Sequence, residues 1–414
     1  MKIAFISYEY PPDTAIGGIA TYVYQAAKML SLRGHHVEVF AGSTDRTTSE
    51  VEGRITVHRL QGMPSSFSDS IGKIFAERHS FINFDVLEGT DYAASARGAV
   101  KLVSSIPLVV KLHTPGFLVE KINYIEPSFQ MKARRFIGAL RRIRKPEPFI
   151  KFSYDPNHDI ERLHILDADE IATPSQDLGV KLVQLWGLPS GKIAHVPNPY
   201  TPSSDLLEIP INTHNKIVTF LGRLEIRKGV LDLAEAIPKV LRCFPNTKFR
   251  FVGASHPSPQ MGMDMQQYLT RKLWRYKNSL EFTGSVTTSL IPGILANTDV
   301  CVFPSRWENF PNVCLEAMSA GRGIVGSNAG GMSDMLGDDQ AGLLVPPYSP
   351  QEIAEAIVKL LKNPTLRMEL GQAARDRVLS EYNLDKIGSL QEASYFRAIE
   401  RRQALGARNM IDYD

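Results

Sequence analysis

Two carboxylates, Glu308 and Glu316, bracket a stretch that reads RWENFPNVCLEAMSAG from Arg306 to Gly321. Paired acids can serve a glycosidase, which needs them roughly 5 to 9.5 Å apart across one bond. Eight residues of mostly helical rise give about 12 Å, on faces about 80° apart, so this pair suits one ligand touched at two places. Mg²⁺ takes one or two carboxylates plus phosphate oxygens, and Asp167 and Asp169 are the better candidates for it. They lie between a helical segment and the apolar run Glu170 to Thr173, and such a two-acid match arises easily by chance, so no metal is expected. Cations come from the stretch FLGRLEIRKG, Phe220 to Gly229, with Arg223 and Lys228. An Arg and a Lys beside a helix N-terminus suit a pyrophosphate, because the Arg fork matches phosphate oxygens, Lys adds a compact charge and the helix dipole supports both. Acids for hydroxyls and cations for phosphates together describe a nucleoside diphosphate sugar.

These side chains need elements to aim them. Pro311 suits a first helical turn and Gly321 the residue just past the end, which predicts a helix over roughly 311 to 320. Ahead of it, Asp299 to Ser305 has the look of a buried parallel strand, so the loop 305 to 310 falls where open α/β sheets bind ligands. The basic loop likewise follows a strand, Lys216 to Leu221, and precedes a helix, Val230 to Arg242. Earlier in the chain, strand-like Ile3 to Ser7, helical Gly18 to Arg33, strand-like Val37 to Ala41 and Ile55 to Leu60, and further pairs up to His195 read as doubly wound α/β. A Pro-rich stretch over 199 to 215 reads as an interdomain linker. Alternation restarts at Lys216, with strands near Phe249 to Val252, Leu280 to Phe282, Val300 to Phe303, Gly323 to Gly326 and Leu343 to Val345. The expectation is two facing Rossmann-like domains, 1–198 and 216–383, with a ligand cleft between them.

Bulk properties agree and exclude several classes. A chain of 414 residues exceeds one typical core. Its net charge of +3 is too small for a nucleic-acid binder. Cys243, Cys301 and Cys314 form no C-x-x-C pair, which argues for a reducing cytosol without disulfides or structural zinc. The opening residues read as a strand and not a signal peptide, and no apolar run approaches a transmembrane length. The first loop has no G-x-G-x-x-G, so an NAD site loses its chief support. Gly17 and Gly18 still open a helix, where backbone can approach a phosphate or sugar. His113 ends the strand Leu108 to Leu112. From Met131 to Lys145 the chain holds seven cations and no acid, with Phe136, Ile137, Leu140 and Ile143 at helical spacing. Such a helix could rest on anionic lipid, hold a phosphorylated lipid acceptor, or simply pack its stripe on the domain.

Over nearly its whole length the chain resembles the retaining glycosyltransferase family 4, of the GT-B fold, and within it bacterial exopolysaccharide and envelope polysaccharide glycosyltransferases. The resemblance rests on six elements in family order: the opening strand Met1 to Ser7 with its loop ending at Gly17 to Ala20, Val110 to Thr114, Ala194 to Pro199, Gly222 to Gly229, the E-x7-E pair Glu308 and Glu316, and Ser327 to Gly331. It implies transfer of a hexose, glucose from UDP-glucose, to a saccharide or lipid-linked saccharide acceptor in polysaccharide biosynthesis, with retention and with neither metal nor cofactor. It implies that Arg223 and Lys228 stabilise the leaving diphosphate, that Glu308 holds hydroxyls of the transferred sugar, and that Glu316 grips the ribose. Backbone N–H groups across Asn309, Phe310, Pro311, Asn312 and Val313 would meet sugar or phosphate oxygens. His113 becomes a donor-sugar contact, Gly17 and Gly18 line the cleft opposite the diphosphate, and the turn Gly284, Ser285, Val286 takes the base. The last helix, roughly Leu384 to Leu405 within 384–414, should cross back onto the first domain. The expected setting is cytoplasmic, with the 131–145 segment against the plasma membrane's inner face. Two positions depart from the family pattern: Asn309 stands where many members have Gly, and Asp334 where Glu is frequent. Rival readings are a nucleotide-sugar epimerase of the same fold, a non-catalytic membrane-associated binding protein and, more distantly, an NAD oxidoreductase.

Overall fold

The computed structural model describes residues 1–14, 17–124, 136 and 152–410. Two sheets organise it. The first contains β1 (Lys2–Ser7), β2 (His36–Ser43), β3 (Thr48–Glu52), β4 (Ile55–Gln61), β5 (Val86–Thr90), β6 (Leu108–Lys111), β7 (Glu170–Thr173) and β8 (Ile193–His195), in the order β3-β4-β2-β1-β5-β6-β7-β8. The second contains β9 (Ile217–Leu221), β10 (Lys248–Val252), β11 (Leu280–Gly284), β12 (Val300–Phe303), β13 (Gly323–Ser327) and β14 (Leu343–Val345), in the order β11-β10-β9-β12-β13-β14. Every pairing is parallel except β3 with β4. Parallel strands are covered by helices on both faces and so read as unbroken apolar runs; β12, VCVF, is buried at all four positions. The architecture is GT-B, two Rossmann-like parallel-sheet units facing a cleft.

Strand order decides where a ligand goes. The sequence winds outward in opposite directions from β1 and β5 in the first sheet, and from β9 and β12 in the second. Crevices at the carboxyl ends of such strands are the binding places of open α/β sheets. Glu308 leaves β12, Arg223 and Lys228 leave β9, and Gly17 and Gly18 follow β1, so three of the expected groups of residues stand at switch points.

Some segments differ from their sequence reading. The stretch over 199–215, expected to be a linker, is packed: it holds a short helix, Ser204–Leu207, and buries Tyr200, Leu206 and Ile209 in the second sheet's core. Its prolines break periodicity without preventing those apolar side chains from docking. Strand β3, with the polar sequence TSEVE, had no apolar alternation to reveal it. Pro311 is not the first helical residue. It is extended, φ −76° and ψ 120°, and the helix is Asn312–Ser319, with Gly321 left-handed at +65° beyond its end as expected. The basic segment 131–145 lies outside the described residues apart from Phe136, which is exposed.

The final helix, Leu384–Leu405, lies against the first sheet, where Ile387, Tyr395 and Ala398 join the core of β1, β2 and helix Gly18–Leu32. Its polar residues meet buried acids. Gln391 and Tyr395 bond Glu88, Arg397 and Arg401 pair with Glu170, and Arg402 reaches Asp169 at 2.5 Å. No helix among the described residues is long and apolar enough to cross a membrane.

Candidate active site

Two loops of the second sheet converge on one point. From β9 the chain passes Gly222 and Arg223 into a 3-10 turn, Ile226–Lys228, before helix Val230–Cys243. From β12 it passes Pro304 and Ser305 to Glu308. Gly229 joins the loops: its φ is +72° and a Cβ would stand 1.8 Å from the Pro304 carbonyl oxygen, a conformation and a closeness that only glycine accepts. Gly330, at φ +83°, does the same behind Glu308, whose carbonyl oxygen would lie 1.9 Å from a Cβ there.

Glu308 is 8% exposed, and its carboxylate accepts from Arg227 Nη1 at 3.3 Å and from Lys228 Nζ. Burial pushes the acid up, but the Lys228 and Arg227 charges outweigh it and hold the carboxyl at about 2. Glu308 is therefore a fixed carboxylate near neutral pH, suited to accepting hydroxyl hydrogens and not to shuttling protons. Arg227 also donates to Glu225 at 3.0 Å. Arg223 reaches the same carboxylate at 3.3 Å while 54% of its side chain stays exposed. The two cations expected to act together thus have different surroundings: Lys228 is ion-paired inside the site and Arg223 stands at its open side, where its charge is felt by Glu9 of the first sheet.

Glu316 is half-buried on the helix Asn312–Ser319 and meets no hydrogen-bond or ion-pair partner among the described residues. Burial raises its carboxyl to about 7. The N–H groups of Asn309, Phe310, Asn312 and Val313 have no acceptor among the described residues, as the first turn of a helix requires. Pro311 must be struck from that set, since it carries no N–H. Phe310 can contribute only backbone, because its ring is packed edge-on against Tyr382 at 5.2 Å. The Asn309 side chain is engaged elsewhere: its Oδ1 accepts from Ser175 Oγ at 2.7 Å. Gly284, Ser285 and Val286 follow β11, the sheet's edge strand, where Gly284 is left-handed at +70° and Ser285 is exposed.

Across the cleft, Gly17 caps helix Gly18–Leu32. A Cβ on Gly18 would meet nothing within 4 Å, and one on Gly17 only Glu9 Oε2 at 3.7 Å, so protein packing does not demand these glycines. His113 donates its N–H to Asp91 Oδ2 at 2.8 Å and sets Nδ1 3.1 Å from Oδ1 of the same acid. Its Nε2, like Glu9 Oε2, is buried without a hydrogen-bond partner among the described residues. Burial raises the Glu9 carboxyl, with His113 opposing. Nearby, Glu161 accepts from the Ala93 and Gly116 N–H groups, and burial raises it to about 7. Among the described residues no three His, Cys, Asp or Glu side chains are grouped to hold a metal ion. Asp167 and Asp169 are occupied by Arg97, at 2.6 Å, and by Arg402 and Arg408.

Sequence reasoning passed over Arg227, Glu225, Asp91 and Glu9. Arg227 was visible in the same basic loop, but which cation is buried depends on the turn at Ile226–Lys228. Asp91 is a lone acid after a strand and carries no pattern at all.

The pattern described as Glycosyltransferase Family 4 matches residues 16–203, and that described as Glycosyl transferases group 1 matches residues 207–377. An uncharacterised glycosyltransferase of Methanocaldococcus jannaschii is 24% identical, the alignment covering 97% of this chain and 99% of the relative. Among solved structures, sucrose-phosphate synthase from Thermosynechococcus elongatus superposes with a TM-score of 0.70 at 23% identity, covering 96% of this chain and 99% of that one. Anabaena HepE in complex with UDP gives 0.66 at 20% identity and the same coverage. With both halves of the family pattern present on two facing parallel sheets, the chain belongs to glycosyltransferase family 4 and is a GT-B glycosyltransferase.

Proposed function

We propose that this glycosyltransferase moves a hexose, glucose from UDP-glucose, to a saccharide or lipid-linked saccharide acceptor of bacterial envelope polysaccharide, with retention and without a metal. The observation that carries the reading is the ionised Glu308, neutralised by Lys228 and Arg227, beside the open N–H groups of helix Asn312–Ser319 and the unpartnered Glu316. Lys228 and Arg223 meet the diphosphate, Glu308 accepts from sugar hydroxyls and Glu316 from the ribose diol. HepE, a structural neighbour, was solved with UDP-glucose, which supports the donor assigned here. In the transfer step the bond from the anomeric carbon to the phosphate oxygen breaks while the acceptor oxygen bonds on the same face. The departing phosphate oxygen takes the acceptor's proton. The protein then supplies position and fixed charge, which fits a Glu308 held ionised by its cations. The basic segment 131–145 is assigned to an anionic membrane surface on the cytoplasmic side.

Melting the protein with a panel of nucleotide sugars tests the donor: a ligand at 100 times its Kd adds about 2.7 kcal/mol of stability. UDP-glucose is expected to give the largest shift, and a panel in which no UDP compound shifts the transition overturns the assignment. Retention is read from the anomeric coupling of the product, and metal independence from an unchanged rate in chelator.

A further inference from the structure

The loop that carries Glu308 is held from the opposite domain. Its neighbours on either side, Trp307 and Asn309, both send their side chains across the cleft. Trp307 is 5% exposed and packs within the core of the first sheet, and its Nε1–H donates to Asp177 at 2.9 Å. Asn309 Oδ1 accepts from Ser175 Oγ at 2.7 Å, in a fully buried contact. Between those two residues, the Gln176 N–H donates to Asp334 Oδ2 at 2.6 Å. Three consecutive residues, the cap and first turn of helix Gln176–Trp186, thus grasp three groups of the second sheet's loops. The approach is close enough that a Cβ on Gly331 would fall 2.7 Å from Ser175 Cβ and 1.9 Å from the Asn309 carbonyl oxygen.

Asn309 and Asp334 are the two positions at which this chain departs from its family's pattern, and both lie in this contact. A glycine at 309 would offer Ser175 no side-chain acceptor. Elsewhere the two sheets meet where the Arg227 N–H donates to Asn123 Oδ1 at 3.1 Å and at chain crossings that run side by side, where the Tyr200 N–H donates to the Tyr382 carbonyl at 3.0 Å. Such a paired crossing lets one sheet swing against the other, and only contacts away from it fix the angle. The Ser175–Asn309 and Asp177–Trp307 bonds do so at the residues adjoining the catalytic acid.

We propose that Ser175, Asp177, Trp307 and Asn309 are positioning residues forming a latch, which sets the closure of the two sheets and, through it, the register of the Glu308 loop. The assignment rests on the donor reading above for what Glu308 does once in place. The latch acts on turnover more than on nucleotide binding, because Arg223, Lys228 and Glu316 all belong to one sheet and keep their mutual arrangement when the cleft opens.

Ser175→Ala, Asn309→Gly and their double variant, made in the full-length protein, test the proposal, with UDP as the binding probe and small-angle scattering as the measure of closure. Each single variant is expected to scatter with a larger radius of gyration than wild type in the absence of nucleotide. Each should lose about tenfold in kcat, the value of one hydrogen bond, with UDP affinity within about twofold of wild type. The double variant should be no worse than either single, since one contact is removed once. Trp307→Phe, which keeps the ring and loses the N–H, should behave like Ser175→Ala, and Ser175→Thr should restore closure. An unchanged radius in every variant overturns the latch, as does a UDP affinity that falls in step with kcat or a double variant whose losses multiply. If wild type neither binds UDP nor transfers sugar, the donor reading fails alone, and the nucleotide-free scattering still decides the latch.

Discussion

The two faces of the cleft solve the burial of charge in opposite ways. On the second sheet's side, Glu308 is buried with its countercharges already in place, Lys228 and Arg227 holding it ionised at about 2. On the first sheet's side, Glu9, Glu161 and His113 sit among neighbours that leave Glu9 Oε2 and His113 Nε2 without partners, and burial raises both acids. The ion pairs of Glu308 are costly to break, although Arg227 Nε has no hydrogen-bond partner among the described residues, whereas the unpartnered atoms of Glu9 and His113 cost stability until something binds them. The second sheet's face therefore carries the burden of structure along with any chemistry, and the first sheet's face is freer to sacrifice stability to recognition. Backbone strain points the same way: Ala93 and Ala94, both left-handed at +52° and +51°, lie in the loop after β5 on the first sheet's face, and each such non-glycine residue costs about 1 kcal/mol.

Breaking the Glu308 ion pairs should give the largest effect. Glu308→Ala leaves Lys228 without its acid and Arg227 with Glu225 alone, and is expected to cost on the order of 3 kcal/mol of stability, together with a loss of about 10² to 10³ in kcat. Chemical denaturation and steady-state rates read the two separately. Glu316→Gln should separate them by pH. The Glu316 carboxyl is raised to about 7 in the folded chain, above its unfolded value, so the folded state is penalised as pH rises from the unfolded pKa through 7. The glutamine variant should thus be more stable than wild type at pH 8, by on the order of 3 kcal/mol, and gain nothing at pH 4, while binding UDP more weakly at either pH. Equal melting shifts at the two pH values would contradict the cause assigned to the shift.

The opposite face should respond in rate, with no large loss of stability. Asp91→Asn disturbs the orientation of His113 and is expected to lower kcat about tenfold, with donor binding nearly unchanged. Glu9→Gln should stabilise the fold slightly at neutral pH, because the raised carboxyl is penalised above its unfolded pKa, and the gain should vanish at low pH. A destabilisation by Glu9→Gln as large as that of Glu308→Ala would erase the contrast between the faces. The smallest effect belongs to Gly18→Ala, whose Cβ meets no protein atom. Stability should stay within about 0.5 kcal/mol, so any fall in turnover reports a ligand brought against that backbone.

Much of this was legible in the chain because parallel sheets write themselves as apolar runs. Glu170–Thr173 and Leu343–Val345 have the bounds their residues suggest, and the site loops followed once the strand ends were known. Glu308 and Lys228, which pair in the structure, lay in two short loops beside strand ends, which is why they could be read together. What escaped was set by packing between distant segments. Ser175 and Asn309 are 134 residues apart, and no periodicity links a serine at a helix cap to an asparagine in another domain. Proline misled in two ways: its preference for a first helical turn overlooked the missing N–H at Pro311, and its density over 199–215 hid the docking of Tyr200, Leu206 and Ile209.

The crossing of the last helix has a consequence for the order in which the protein is made. Glu88, Asp169 and Glu170 emerge before any strand of the second sheet, yet their partners Gln391, Tyr395, Arg397, Arg401 and Arg402 follow its last strand. During translation the second sheet, complete by Val345, has all its strands while the first still holds Asp169 and Glu170 without their arginines and Glu88 with only part of its hydrogen bonds. A chain truncated near residue 383 is expected to yield a protease-resistant second sheet and a protease-sensitive first one, so that the sheet made first is completed after the sheet made second.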